Sequence, residues 1–225
     1  MSEDSWQISR VTRSKGEAKA SYDRLSRWYD LLSDRSERNH REAGLEKLAA
    51  KKGETIVEIG FGTGHALLAL AQAVGEAGKV YGIDISQGMY NVSRARLEKA
   101  GVMARVELTC GDAAQLPYRD GSCDAVFMSF TLELFDTPEI PAVLGECHRV
   151  LRSGGRLGVV AMSKSEHPGL MERLYEWAHQ RWPRYADCRP IYVRRVCEDA
   201  GFNLRDVTGF TMWGLTGEVV LVEKG

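Results

Sequence analysis

The sequence has no apolar run of the roughly 18 residues that a spanning helix needs, and its opening MSEDSWQISR lacks the basic-then-apolar order of a secretory leader. A cytoplasmic protein with no integral membrane segment is therefore expected. It also has no Cys-x-x-Cys pair and no clustered histidines. Its five cysteines, Cys110, Cys123, Cys147, Cys188 and Cys197, are odd in number, which favours reduced thiols acting as small hydrophobes over a disulfide framework or a zinc site. No metal is expected. Nor is there an excess of one charge: 30 basic and 31 acidic residues leave a net charge of -1, which removes any bulk electrostatic reason for nucleic acid or an anionic membrane as partner. Internal repeats and low-complexity linkers are missing as well, so binding must be local.

What is present suits one fairly large globular unit of 225 residues, 44% hydrophobic and 27% charged. Ala18, Tyr22, Leu25, Tyr29 and Leu32 fall on helical spacing over 17–32, and a second helix is expected over 36–50. From Thr55 to Ala161 short apolar runs (TIVEI, VYGI, ARVELT, DAVFMSF, GRLGVVA) alternate with helical segments, which predicts a parallel sheet covered on both faces. Thr137 and Pro138 read as the N-cap and first turn of a helix running to Leu151. After Ala161 the alternation lapses until a helix over 191–200, and NLRDVT and GEVVLVE read as two closing strands. The expected division is an N-terminal helical cover over 1–50 and a core over 51–225, with 163–190 as an insertion over the substrate.

The most specific stretch is VEIGFGTGHALLALA, where a buried strand enters a helix through Gly60, Gly62 and Gly64. At the carboxyl edge of a parallel sheet such a turn is a usual ligand site, because glycines let backbone N–H groups come close to a ligand. Asp84, twenty residues past Gly64, is placed to accept two hydrogen bonds from a ribose diol. The third glycine comes one residue early for the dinucleotide pattern G-x-G-x-x-G. Glu58 can meet a cationic amino-acid end, which a nicotinamide cofactor lacks, and Asp112 with the Ala113 N–H can address an adenine.

E-x-G-x-G-x-G, Asp84, the Gly111-Asp112-Ala113 turn and RVLRSGGRL together resemble a class I S-adenosylmethionine-dependent methyltransferase over about 54–161. The resemblance implies S-adenosyl-L-methionine as cofactor and a Rossmann-like seven-stranded sheet in the order 3-2-1-4-5-7-6, strand 7 antiparallel, with helices on both faces. It also implies a cofactor set of Tyr22, Glu58, Gly60, Gly62, Gly64, Asp84, Ile85, Met89, Asp112, Ala113 and Ser129. YDRLSRWYDLLS and CEDAGF with GEVVLVEKG resemble the ubiquinone and menaquinone biosynthesis methyltransferases, which implies a lipophilic small acceptor. That group's Arg-Asn pair after the fourth strand is replaced here by SFTLELFDT.

No catalytic base is declared by the sequence, and the oligomeric state is left open. Tyr29, His167 and Trp177 are the candidate acceptor contacts, each with a plainer explanation: Tyr29 on an apolar helical stripe, His167 in a solvated loop, Trp177 in a surface helix packed on the sheet. Aromatics beside Arg173, Arg181, Arg184 and Arg189 suit an apolar acceptor with a polar or anionic head, and a peripheral membrane contact is compatible with it. Methylation of a quinol-like carbon or oxygen is the favoured activity. An amine acceptor such as a phospholipid head group, or cofactor binding without catalysis, stays open.

Overall fold

The computed structural model describes residues 10, 16–17, 19–23, 34–164 and 189–225. The candidates Tyr29, His167 and Trp177, and most of the expected insertion, lie outside these residues. Seven strands form one sheet in the order β3-β2-β1-β4-β5-β7-β6. They are β1 Thr55–Ile59, β2 Lys79–Asp84, β3 Val106–Cys110, β4 Cys123–Ser129, β5 Leu151–Met162, β6 Phe202–Met212 and β7 Leu215–Lys224. The first five pair in parallel, whereas β7 is antiparallel to both β5 and β6. Order and direction are those the resemblance implied.

The strands read as continuous apolar runs because both faces are covered. Val57, Ile59, Val126 and Met128 pack with the Ile140–Val150 helix on one face. Ile56, Ala125 and Phe127 pack on the other with the His65–Val74 helix and with Leu48. Cys123, Cys147 and Cys197 are buried free thiols in the first layer, and burial pushes the Cys197 thiol up to about 12. They serve as small apolar fillers.

Two details set the Asp34–Leu48 helix against the sheet. A Cβ at Gly44 would stand 2.3 Å from Val160 Cγ2, so this glycine allows a close approach. At the helix end, Arg156 donates to Glu54 through a two-bond fork at 2.9 and 2.7 Å and to the Leu48 and Ala49 carbonyls. A largely buried, bidentate pair of this kind fixes position as well as contributing energy. One helix start differs from expectation: the helix of Val143 and Leu144 begins at Ile140, not at Pro138. Thr137 is not its cap, since that position falls to Glu139, and the Thr137 hydroxyl accepts from Arg189 at 3.1 Å.

Candidate functional site

The order of the sheet reverses direction between β1 and β4, and a cleft opens there at the carboxyl ends of the strands. Its floor is the turn Gly60–Gly64. All three glycines have positive φ, at 70°, 51° and 83°, but they do different things. A Cβ at Gly60 would lie 2.3 Å from Thr131 Cγ2, and one at Gly64 would lie 2.2 Å from Ser93 Oγ; at Gly62 nothing stands within 4 Å. Gly60 thus admits the turn after β4, Gly64 lets two helices pack, and Gly62 alone opens to the cleft. Their N–H groups donate to Ile83 O, to Asp84 Oδ2 and to Phe61 O respectively. The expectation that these N–H groups reach a ligand is corrected, since the protein itself uses them. What the turn offers is bare surface at Gly62.

Asp84 ends β2 and is held from two sides, accepting from Gly62 N on Oδ2 and from Ser86 N on Oδ1, both at 2.9 Å. Burial raises its pKa, the backbone N–H groups of Ser86, Gly62 and Ile85 pull it down, and Asp23 pushes it up. The carboxylate keeps acceptor capacity beyond these bonds. Beside it the β3 turn is tied in by Gly111 N donating to Asp84 O at 2.9 Å. Asp112 Oδ1 accepts from Ala114 N at 3.0 Å, and Asp112 and Ala113 both line the cleft.

Glu58 is 2% exposed on β1 and lines the same cleft. Its Oε2 has no hydrogen-bond partner. Burial pushes its carboxyl well above the ordinary range, against the pull of Arg41 and with a further push from Asp84. A buried carboxylate oxygen left this way costs about 1–3 kcal/mol or more unless something cationic or donating meets it. Such an orphan points to a ligand.

The opposite end is built from the turn after β4 and from the Asp34–Leu48 helix. Phe130 sits in the left-handed region at φ 51°, costly for an aromatic residue, and its ring meets Phe210 edge-on at 6.1 Å. Phe130, Leu134 and Phe135 give this end apolar wall, while Glu37 and Arg41, one helical turn apart, add charge. Directly behind lies Glu133, fully buried, accepting from Met162 N at 3.2 Å with Oε2 unpartnered. Burial lifts its pKa to about 8, with Glu37 adding to the rise and Arg189 opposing it. Arg189, buried, donates to Phe135 O and to the Thr137 hydroxyl, so it fixes that loop from behind.

A family model described as a methyltransferase domain matches residues 56–155. Demethylmenaquinone methyltransferase of Lactobacillus johnsonii is 30% identical over 165 residues, 73% of this chain and 65% of that protein. The enzyme of the same name from Geobacillus kaustophilus is 36% identical over 146 residues, 65% of this chain and 60% of its own length. The chain thus spans somewhat less than two thirds of these two relatives. Among solved structures, a SAM-dependent methyltransferase from Aquifex aeolicus superposes with a TM-score of 0.66 at 25% identity, covering 89% of this chain and 98% of that one. Residues 56–155 thus match a methyltransferase domain, and the relatives and the sheet order support a class I S-adenosylmethionine-dependent methyltransferase.

For a methyltransferase of this class the cleft is well furnished. Tyr22, Glu58, Gly60, Gly62 and Asp84 all line it, as do Ile85, Met89, Asp112, Ala113 and Ser129. Gly64 does not; its glycine requirement comes from Ser93. The cofactor fits the acceptors present, an orphaned carboxylate at Glu58 for an ammonium and spare capacity on Asp84 for hydroxyls, with an open backbone at Gly62 in the same cleft. Residues missed in the sequence are Glu37 and Arg41, whose signal was an acid and a base at i and i+4 on a helix.

Proposed function

We propose that this chain transfers a methyl group from S-adenosyl-L-methionine to a lipophilic small molecule, a quinol-like ring being the favoured acceptor. The observation that carries this reading is the unlike character of the two ends of one cleft. One end is acidic and free of side chain at Gly62; the other is walled by Phe130, Leu134 and Phe135 with Arg41 beside them. The names of the demethylmenaquinone methyltransferases support the acceptor class by analogy.

In this reading Glu58 Oε2 receives the ammonium of the cofactor's methionine part, Asp84 the ribose hydroxyls, and Asp112 with Ala113 the adenine edge. Ile85 and Met89 pack against the base, and Tyr22 and Ser129 border the methionine part. When bound, the cofactor supplies a methyl already activated on a sulfonium. The protein's share is then to align the acceptor and to keep water out, and positioning supplies much of the rate. Phe130, Leu134 and Phe135 would hold an apolar ring. Arg41 is placed to favour the ionised form of an acceptor hydroxyl, which must lose its proton before or during transfer.

The test is methyl transfer from labelled S-adenosylmethionine to a panel of demethylated quinols and amine lipids. A methylated quinol is expected. Label in an amine lipid with untouched quinols would replace the acceptor class, and cofactor binding without transfer to any substrate would favour a non-catalytic role.

A further inference from the structure

Because β7 runs antiparallel to both β5 and β6, the edge strand β6 points the same way as β1 to β5, and its last residues arrive at the cleft end of the sheet. Phe210 is one of them. It is half-buried and is not among the residues that line the cleft. Its cross-strand partner is Gly217 of β7, where a Cβ would lie 2.2 Å from Phe210 Cζ. A glycine inside a strand marks a close approach, and this one lets an edge-strand ring lie across β7 toward the interior.

Two rings meet it there. His40 of the Asp34–Leu48 helix stacks on Phe210 with centroids 3.9 Å apart and planes at 15°, and burial lowers the His40 pKa, so at neutral pH the imidazole is uncharged. Phe130 meets Phe210 edge-on at 6.1 Å and 72°, although β7 and β5 separate their elements in the sheet order. Of the described cleft-lining residues other than glycine, Phe130 alone has a positive φ, 51°. Such a backbone persists only where its surroundings over-determine it. Here the Phe130 N–H donates to Val160 O at 2.7 Å, which fixes the main chain, and the Phe210 ring meets the side chain.

We propose that Phe210, from outside the cleft, is a positioning residue that sets selectivity among acceptor rings: admitted by Gly217 and backed by His40, it fixes Phe130 and so the width of the apolar end. The proposal rests on the reading of that end as the acceptor pocket. Close-packed interiors pass on the loss of a ring, and a misplacement of about 1 Å in a bound acceptor is enough to cost rate. The cofactor end is held by separate backbone bonds to Asp84 and stays in place.

The test compares two probes on the full chain with S-adenosylmethionine, a short-chain prenylated 1,4-naphthoquinol and the benzoquinol carrying the same chain. It reads the ratio of their kcat/KM values, or of their inhibition constants where one ring is not methylated. Loss of the Phe210 ring gives Phe130 room to retreat, so Phe210→Ala should move the ratio toward the wider naphthoquinol by about fivefold or more, with the Kd of S-adenosylhomocysteine within about twofold of the parent. Gly217→Ala keeps Phe210 but must move its ring, and should change the ratio as well. Gly209→Ala, whose Cβ would have only Gly217 O at 4.0 Å, should not. Phe210→Leu returns apolar bulk without a ring face; it should recover Tm and leave the ratio shifted. A parent-like ratio in Phe210→Ala, even with a lowered Tm, would overturn the positioning role while leaving the acceptor pocket standing. A ratio restored together with Tm in Phe210→Leu would assign the effect to bulk and overturn the stack. If the parent methylates neither quinol, the pocket reading falls and this inference with it. If Phe210→Ala does not fold, His40→Ala, which removes the ring stacked on Phe210, decides the matter by the same ratio.

Discussion

The two ends of the cleft are made differently. Around Gly62, Asp84 and Asp112 the site is assembled from consecutive β-strand ends, and its side chains are held by backbone N–H groups at 2.9–3.0 Å. At the other end, Glu37 and Arg41 come from a helix before β1, Phe130 to Phe135 from the turn after β4, and Arg189 from far along the chain. The first end inherits its precision from the sheet register. The second depends on how separate segments are pinned, by Arg156 and Gly44 for the Asp34–Leu48 helix and by Arg189 for the Phe135 loop. A fold that must present one common ligand and many different partners can vary the second end without disturbing the first.

The sharpest way to break this contrast is Gly62→Val. The added Cβ has no protein atom within 4 Å at a position that lines the cleft, and its φ of 51° is strained for a β-branched residue. Loss of S-adenosylmethionine binding by more than about a hundredfold, some 3 kcal/mol, is expected with a circular dichroism spectrum like the parent's. Gly64→Ala should do the reverse, lowering Tm through the Ser93 clash more than it lowers affinity. Retained binding in folded Gly62→Val would show that the turn does not touch the cofactor.

Asp84→Ala comes next. It removes a carboxylate that organises both Gly62 and Ser86, and calorimetry should show binding weaker by about 1.5–3 kcal/mol. An unchanged Kd would remove Asp84 from the site.

Glu133 sharpens the comparison through pH. Its folded-state pKa of about 8 lies above its ordinary 4.5, so the native state holds this proton where the unfolded chain has released it. Stability from this group is complete below about 4.5 and declines as pH rises through about 8. Glu133→Gln cannot ionise and keeps an acceptor for Met162 N. Urea unfolding from pH 5 to 9 should show the variant near the parent at pH 5 and about 1–2 kcal/mol more stable at pH 9. Parallel profiles would place the burial cost elsewhere.

The smallest expected effect is at Arg41, on the apolar side of the cleft. Arg41→Ala should lower kcat/KM for a hydroxyl acceptor about fivefold, near 1 kcal/mol, with cofactor Kd unchanged within about twofold. Equal loss in cofactor affinity would mean that Arg41 serves Glu58 and not the acceptor.

The sequence by itself determined the elements whose signals are local. Apolar runs bounded by helical segments marked β1 to β5, and the spacing of Glu58, Gly62, Asp84 and Asp112 marked one end of the cleft, because strand ends repeat at intervals set by the βα unit. It misread what needed a third dimension. Three alternating glycines look equivalent in one line, but Thr131 and Ser93, 71 and 29 residues away from Gly60 and Gly64, decide that two of them serve packing. Thr137 looks like a cap until Arg189 claims its hydroxyl. Glu133 follows β4 in the sequence, but only its contact with Met162 of β5 shows it to be fully buried, and Asp23 looks like a surface acid until Ser86 reaches it across 63 residues. Hydrogen bonds and close contacts between distant segments carry no period along the chain, so only the tertiary structure could assign them.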